Sequence, residues 1–489
     1  MRADAAGATG VPGLPLTGRR PDAVLFRRHG GEAITVGRFL AEAAALAARL
    51  PEAPWAINLC ADRYLTLLGF AAALLRGQTT LLSADRSPRR LRELAERYPG
   101  AHALVDDAAT LAQDAAAAAC PVTVTGCAGA ASLPRDATVP AQPAPRIPAD
   151  RIAAIAFTSG STGEPTPHAK PWGALVTGAH AAAKRFGLDD PARPASIIAS
   201  VPAQHMYGFE TTLLLPLHGE AAGHAGPTFY PSDLAEALAQ APPRRILVTT
   251  PLQLRALLAS GATLPALEAV ISATAPLAEE LAASAEQAWR TRVLEIYGAT
   301  EAGSLASRRT VEGPLWRPYD GIRLRIAADG AALAEVPGLP APVPLADELE
   351  AAEDGRFRLL GRRADVVKLA GKRASLAGLN RILSEIEGVR DGVFVAPDDL
   401  DRNPRARLAA FVVAPNRSAG EIIAALRERI EPAFLPRPVV MVDALPRDGV
   451  GKLSRRALTA MLRPATAEQR PAGSGPAAIG AAPRPRGKA

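Results

Sequence analysis

Cysteine is scarce in this 489-residue chain, and the few present do not suggest pairing. Cys60, Cys120 and Cys127 form an odd set with no C-x-x-C and no Cys/His ligand spacing. Neither a disulfide framework nor a zinc site is expected, and a reducing cytoplasm is the natural setting. Long apolar runs are missing too. The longest, Leu65 to Leu75, falls far short of the roughly 20 residues needed to cross a bilayer, and Met1-Arg2-Ala3-Asp4 does not open a signal peptide. No membrane span is expected. Aromatic residues make up only 4%. The formal charge of +7 and pI near 9.6 invite a nucleic-acid reading. The arginines, however, are scattered rather than striped along one element, which argues against it. A basic surface facing small anions accounts for the charge.

Hydrophobic residues at 48% and charged residues at 21% give an ordinary globular balance. The length allows two or three domains. Residues 1–20 are rich in Gly, Ala and Pro and are expected to be poorly ordered. Further on, apolar residues at helical spacing (Phe39 to Leu50, Tyr64 to Leu75, Leu91 to Tyr98) alternate with short apolar runs such as Ala56 to Leu59 and Thr79 to Leu82. That alternation predicts βαβ units and a largely parallel sheet. After a Pro/Ala-rich connector at 128–150, the pattern resumes at Ile152 to Phe157, Ser196 to Val201, Ile246 to Thr249, Ala269 to Ser272 and Val293 to Ile296, with a helix at Leu277 to Trp289. Asp329-Gly330 and Asp354-Gly355 then mark hairpins in a β-rich part. The expected fold class is α/β: a large N-terminal domain over 21–362 and a small α+β domain over 363–463. A basic tail over 464–489 is dominated by Ala, Pro, Gly and Arg and is expected to be disordered.

The densest chemistry lies at Phe157-Thr158-Ser159-Gly160-Ser161-Thr162-Gly163-Glu164-Pro165. A strand opens into a loop of hydroxyls and glycines, and glycines let successive N–H groups curl around an anion. The G-x-x-x-x-G-K-[ST] spacing is absent, which excludes the common phosphate loop.

This segment resembles the phosphate-binding loop of the adenylate-forming superfamily: acyl- and aryl-CoA synthetases, luciferases and peptide-synthetase adenylation domains. Other segments follow in family order. Ile296-Tyr297-Gly298-Ala299-Thr300-Glu301 is similar to its Tyr-Gly-x-Thr-Glu loop. Gly361-Arg362, Asp365, Lys368, Gly371 and Arg373 resemble the segment joining its two domains. Pro446 to Lys452 resembles its C-terminal lysine loop. The likeness covers about residues 25–463.

The resemblance implies ATP and Mg2+ as cofactors and assigns roles. Thr158, Ser159, Gly160, Ser161, Thr162 and Gly163 would hold the β- and γ-phosphates. Thr300 would meet the α-phosphate, and Glu301 would bind the metal. Tyr297 and Gly298 would line the nucleotide site, Asp347 would take the ribose hydroxyls with help from Arg362, and Arg373, in the segment joining the two domains, would also bind the nucleotide. Lys452 would carry a mobile ammonium to the reacting groups. Ser272 to Pro276 resembles the loop that stacks on adenine. His205, Met206, Tyr207 and Gly208 would face the acid, His205 as a gate beside the carboxylate. Met206 stands where amino-acid adenylation domains place the aspartate that binds the α-amine. An apolar residue there cannot pair a buried ammonium, so an amino acid is not expected.

Two positions depart from the pattern. The Pro-Lys pair usual after the phosphate loop is replaced by Pro165-Thr166-Pro167-His168-Ala169-Lys170, so Lys170 supplies that charge from a shifted position. The hinge position two residues past Arg362 is Ala364. The implied activity is formation of an acyl-AMP from a small carboxylic acid. The acyl group would then pass to coenzyme A or a separate acyl carrier protein, with no nucleic-acid partner. The compact chain looks like bacterial ligases of aryl-polyene or pigment pathways, which suggests a hydroxybenzoate-type acid. The alternatives are a stand-alone acyl-AMP transferase or adenylation partner, and a non-catalytic nucleotide-binding relative.

Overall fold

The computed structural model describes residues 13–83, 85–107, 122–129, 143–158, 166–226, 228–362, 366–369, 372–397, 407–447, 453, 457–458 and 460–461. Two compact units are present, one dominated by residues 1–365 and the other by 366–446.

The first unit is built on two large sheets. One has six strands, in the order Thr166–Pro171, Ile152–Thr158, Thr79–Leu82, Trp55–Asn58, His102–Val105, Val124–Gly126. Every pairing in it is parallel except that of Thr166–Pro171. The other sheet has eleven strands. Its central run is parallel: Arg292–Ala299, Leu267–Ser272, Arg245–Thr249, Ala195–Ala199, Ala221–His224 and Val24–Arg27. Antiparallel strands finish both margins. The parallel strands read as continuous apolar runs because helices cover both faces, as such sheets require.

The helices start where the sequence supplies a cap. Val36–Arg49 begins behind Thr35 and Arg63–Leu75 behind Asp62, each accepting from a backbone N–H of the first turn. Arg63–Leu75 is buried nearly all round, which explains its apolar character along its whole length. Cys60 and Cys127 lie in this core as free thiols, their Sγ atoms 3.6 Å apart. Among the described residues no helix is long and apolar enough to cross a membrane.

The expectation that residues 1–20 are poorly ordered fails from Gly13 onward. Gly13–Pro15 pairs antiparallel with Arg146–Pro148, inside the stretch read as a connector. Leu16, Thr17 and Arg19 are buried. The Thr17 hydroxyl donates to the Leu217 carbonyl at 2.6 Å, and Arg19 Nη1 donates to the Pro216 and Ala221 carbonyls, each at 2.7 Å. Composition missed this because Gly and Pro weaken local propensity, whereas tertiary contacts fix the segment.

The second unit holds the hairpin Val366–Leu369 with Lys372–Ser375, helices Leu376–Ser384 and Ala419–Arg427, and a three-stranded sheet of Asp391–Val395, Ala409–Val413 and Val439–Met441. Register places Arg373 opposite Lys368. Helix Leu376–Ser384 was not anticipated from the sequence, since it follows the hairpin without a break.

Candidate active site

The hairpin formed by Arg292–Ala299 and Gly303–Arg309 carries the Tyr-Gly-x-Thr-Glu segment, with Thr300 and Glu301 half-buried in its turn. The Ala302 N–H closes the turn on the Ala299 carbonyl at 3.0 Å. Two glycines allow this shape. A Cβ on Gly298 would lie 2.6 Å from the Gly303 carbonyl oxygen. Gly303 has φ +85°, and a Cβ there would meet Glu210 Oε1 at 2.7 Å.

Before the turn, Tyr297 is buried between Trp316 and Phe357, with ring centroids 5.8 and 5.7 Å away. Its hydroxyl donates to Asp347 Oδ2 at 2.9 Å. Asp347 stands directly across the strand pair from Arg362. The structure therefore brings Tyr297, Asp347 and the Arg362 backbone to one place. At the end of the adjacent strand Leu267–Ser272, Thr274 holds φ +82°. A β-branched residue in that region costs about 1–3 kcal/mol and is concentrated at ligand sites.

Lys170 comes from strand Thr166–Pro171 and is only 2% exposed. Its Nζ donates to the Glu301 carbonyl at 2.9 Å. Burial pushes the ammonium down to about 8, against the opposing pull of Glu210 and Glu301. The shifted lysine thus braces the turn that bears Glu301. His168, two residues earlier, is lowered by burial and raised by the charge of Glu301.

The segment expected at the acid divides. Nδ1 of His205 accepts from the Tyr207 N–H at 3.3 Å and caps the helix start; in the neutral ring the proton then sits on Nε2. Met206 lines a cleft together with Lys170, Leu175 and Ile322. Tyr207 is instead turned into the core, its hydroxyl 2.9 Å from the Ile271 carbonyl and 3.1 Å from that of Thr249. Gly208 is a packing glycine, since a Cβ on it would overlap the Pro202 carbonyl oxygen at 1.9 Å.

Ser159, Gly160, Ser161, Thr162, Gly163 and Lys452 lie outside the described residues. Thr158 closes its strand, and register pairs it with Thr166.

The same cleft holds residues that sequence reasoning missed. Glu210 sits in the π-helical stretch Phe209–Leu214, half-buried. It accepts from the Ser304 hydroxyl at 2.5 Å and the Ser304 N–H at 3.2 Å. Burial pushes its carboxyl up. Tyr319 is 2% exposed, and its hydroxyl is buried with no hydrogen-bond partner. A lone acid inside the apolar run from Met206 to Leu217 was the available signal for Glu210. Tyr319 offered none.

A family model described as "AMP-binding enzyme" matches residues 17–337. A 4-coumarate–CoA ligase of Rhodobacter capsulatus is 32% identical over 289 residues, covering 57% of this chain and 67% of that protein. ATP-bound MatB from Rhodopseudomonas palustris superposes with a TM-score of 0.76 at 19% identity, covering 91% of this chain and 96% of that one. The o-succinylbenzoate coenzyme A synthetase of Bacillus subtilis, solved with ATP and magnesium, gives 0.73 at 18% identity, over 89% and 96%. The two structural likenesses establish the fold.

Proposed function

Because the chain belongs to the AMP-binding enzyme family, we propose that it is an acid–thiol ligase that activates a small aryl or acyl acid with ATP and passes the acyl group to a thiol. In the first step a carboxylate oxygen attacks the α-phosphorus, the bond to the bridging oxygen breaks, and pyrophosphate leaves with that electron pair. Two anions must approach, so charge neutralisation and alignment carry the catalysis. In the second step a thiol attacks the activated carbonyl and AMP departs.

The observation that carries this reading is the Thr300–Glu301 turn, closed by two close-packed glycines, braced by Lys170 and bordered by the cleft. Thr300 would donate to the α-phosphate. Tyr297 fixes Asp347 as a ribose acceptor, with Arg362 opposite it, and Thr274 shapes the adenine edge. Among the described residues no three acidic, His or Cys side chains gather into a metal cage. Mg2+ needs only one or two carboxylates and completes its shell with phosphate oxygens and water. Glu301 would be the carboxylate that holds it, and the ion would neutralise phosphate charge there. The acid occupies the cleft, where Met206 gives an α-ammonium no partner and the Glu210 carboxylate is already opposed by the Lys170 ammonium.

Lys452 supplies the travelling ammonium. Lys452→Ala should abolish acid-dependent pyrophosphate release, while thioester formation from a synthetic acyl-adenylate persists. Equal loss of both half-reactions would overturn this role. Offering coenzyme A and a carrier protein separately identifies the acceptor. Pyrophosphate exchange without turnover on free coenzyme A would mark a stand-alone adenylation partner. Silence across aryl, short, medium and long acids would mark a non-catalytic relative.

A further inference from the structure

The cleft beside the Glu301 turn combines an apolar body with a polar cluster that keeps hydrogen-bonding capacity to spare. Met206, Leu175, Ile322 and Leu339 supply apolar lining. Lys170, Glu210 and Tyr319 also line it. Each has hydrogen-bonding capacity left for a ligand. The Tyr319 hydroxyl has no partner at all, although it is buried. Buried hydroxyls are almost always satisfied by protein, water or ligand. Lys170 donates to the Glu301 carbonyl and has further N–H donors to give. Glu210 is fixed by Ser304 through both of its oxygens and retains lone pairs for another donor.

Charge narrows what the cluster can take. A second carboxylate on the ligand would be drawn by Lys170 and repelled by Glu210; an ammonium would meet the reverse. A neutral group that both donates and accepts suits all three residues. We propose that Glu210, Lys170 and Tyr319 read a hydroxyl on the body of the acid, so that the substrate is a hydroxylated and predominantly apolar carboxylic acid. The ligand hydroxyl donates to the Glu210 carboxylate and accepts from the Lys170 ammonium or the Tyr319 hydroxyl. The apolar lining suits the hydrocarbon body that carries this hydroxyl. This inference rests on the acid-activating reading above. It adds the recognition element: a lone glutamate on a π-helical turn, held in one rotamer by the strand that follows the catalytic turn.

The test is pyrophosphate release from benzoic and cinnamic acids carrying hydrogen, hydroxyl, methoxyl or a second carboxyl on the ring. The wild-type protein should favour the best hydroxylated acid over its unsubstituted parent by at least about 10-fold in kcat/KM, because sites built around a substrate hydroxyl reject the analogue that lacks it. The methoxyl and dicarboxylic acids should fall below the hydroxylated one. Glu210→Gln and Tyr319→Phe should each narrow the hydroxyl-to-parent ratio, chiefly through KM. The substituent series on the wild-type protein stands without any variant. A ratio near one in that series overturns the proposal while leaving acid activation intact. A ratio unchanged in both variants also overturns it. No release from any acid removes the activating reading itself, an outcome distinct from loss of preference.

Discussion

Lys170 carries its charge in a place that disfavours charge. In the folded chain its ammonium is pushed down to about 8 by burial, against an ordinary value of 10.5. Between those two pH values the unfolded chain binds more protons than the folded one, so stability rises with pH across that window. Below pH 8 both states hold the proton and the slope vanishes. Relative to Lys170→Met, the wild-type protein should therefore gain up to about 1.4 kcal/mol per pH unit between pH 8 and 10.5. Urea unfolding of both proteins at several pH values measures this, and parallel curves would show that the ammonium is not desolvated. The residue was legible as a displaced positive charge, but its partner was not. Motif spacing cannot reveal that the Nζ atom ends on the Glu301 carbonyl, a contact 131 positions along the chain.

The hairpin of Arg292–Ala299 and Gly303–Arg309 depends on a missing side chain. At Gly298 the space for a Cβ is occupied by the Gly303 carbonyl, so Gly298→Ala must spread the two strands. A displacement of about 1 Å at a catalytic group costs on the order of 100-fold in rate. Acid-dependent pyrophosphate exchange in Gly298→Ala should fall by roughly that factor. A drop under about 3-fold would mean that the turn tolerates the shift. Most strands and helices near the site were legible because apolar runs and caps coincide. The β-rich hairpins at Asp329-Gly330 and Asp354-Gly355 emerged as expected, with strands Arg323–Ile326 and Ala332–Glu335, and Asp347–Ala351 and Phe357–Arg362. The π-helical turn did not. Nothing local to Phe209–Leu214 distinguishes it from an α-helix. It is accompanied by hydroxyls folding back, Thr211 onto the Tyr207 carbonyl at 2.6 Å and Thr212 onto that of Gly208 at 2.7 Å. Such turns concentrate at functional sites, and this one carries Glu210.

The two units have separate cores. Val367, Leu383, Phe394, Phe411 and Leu426 belong to clusters in the second unit that share no member with those of the first. Units with independent cores unfold independently unless a large interface couples them. Differential scanning calorimetry should resolve two transitions, the larger from the first unit. A single transition whose van't Hoff and calorimetric enthalpies agree would contradict this. The order of elements and the division into a large and a small part were legible from apolar periodicity and the family's motifs. The beginning of the folded body was not, since Gly and Pro read as looseness there.

That leading segment has a consequence for catalysis at a distance. Thr17 and Arg19 bind the carbonyls of Leu217, Pro216 and Ala221, at and just past the helix end Leu215–His218. The Pro216 and Leu217 carbonyls would otherwise be orphaned at a helix terminus. The other end of the same helical run is the Met206–Glu210 wall of the cleft. Arg19 is thus a heel on which that wall of the cleft stands. Trimming the chain to residue 21, where composition places the boundary, would leave the Thr300–Glu301 turn untouched and loosen the wall of the cleft.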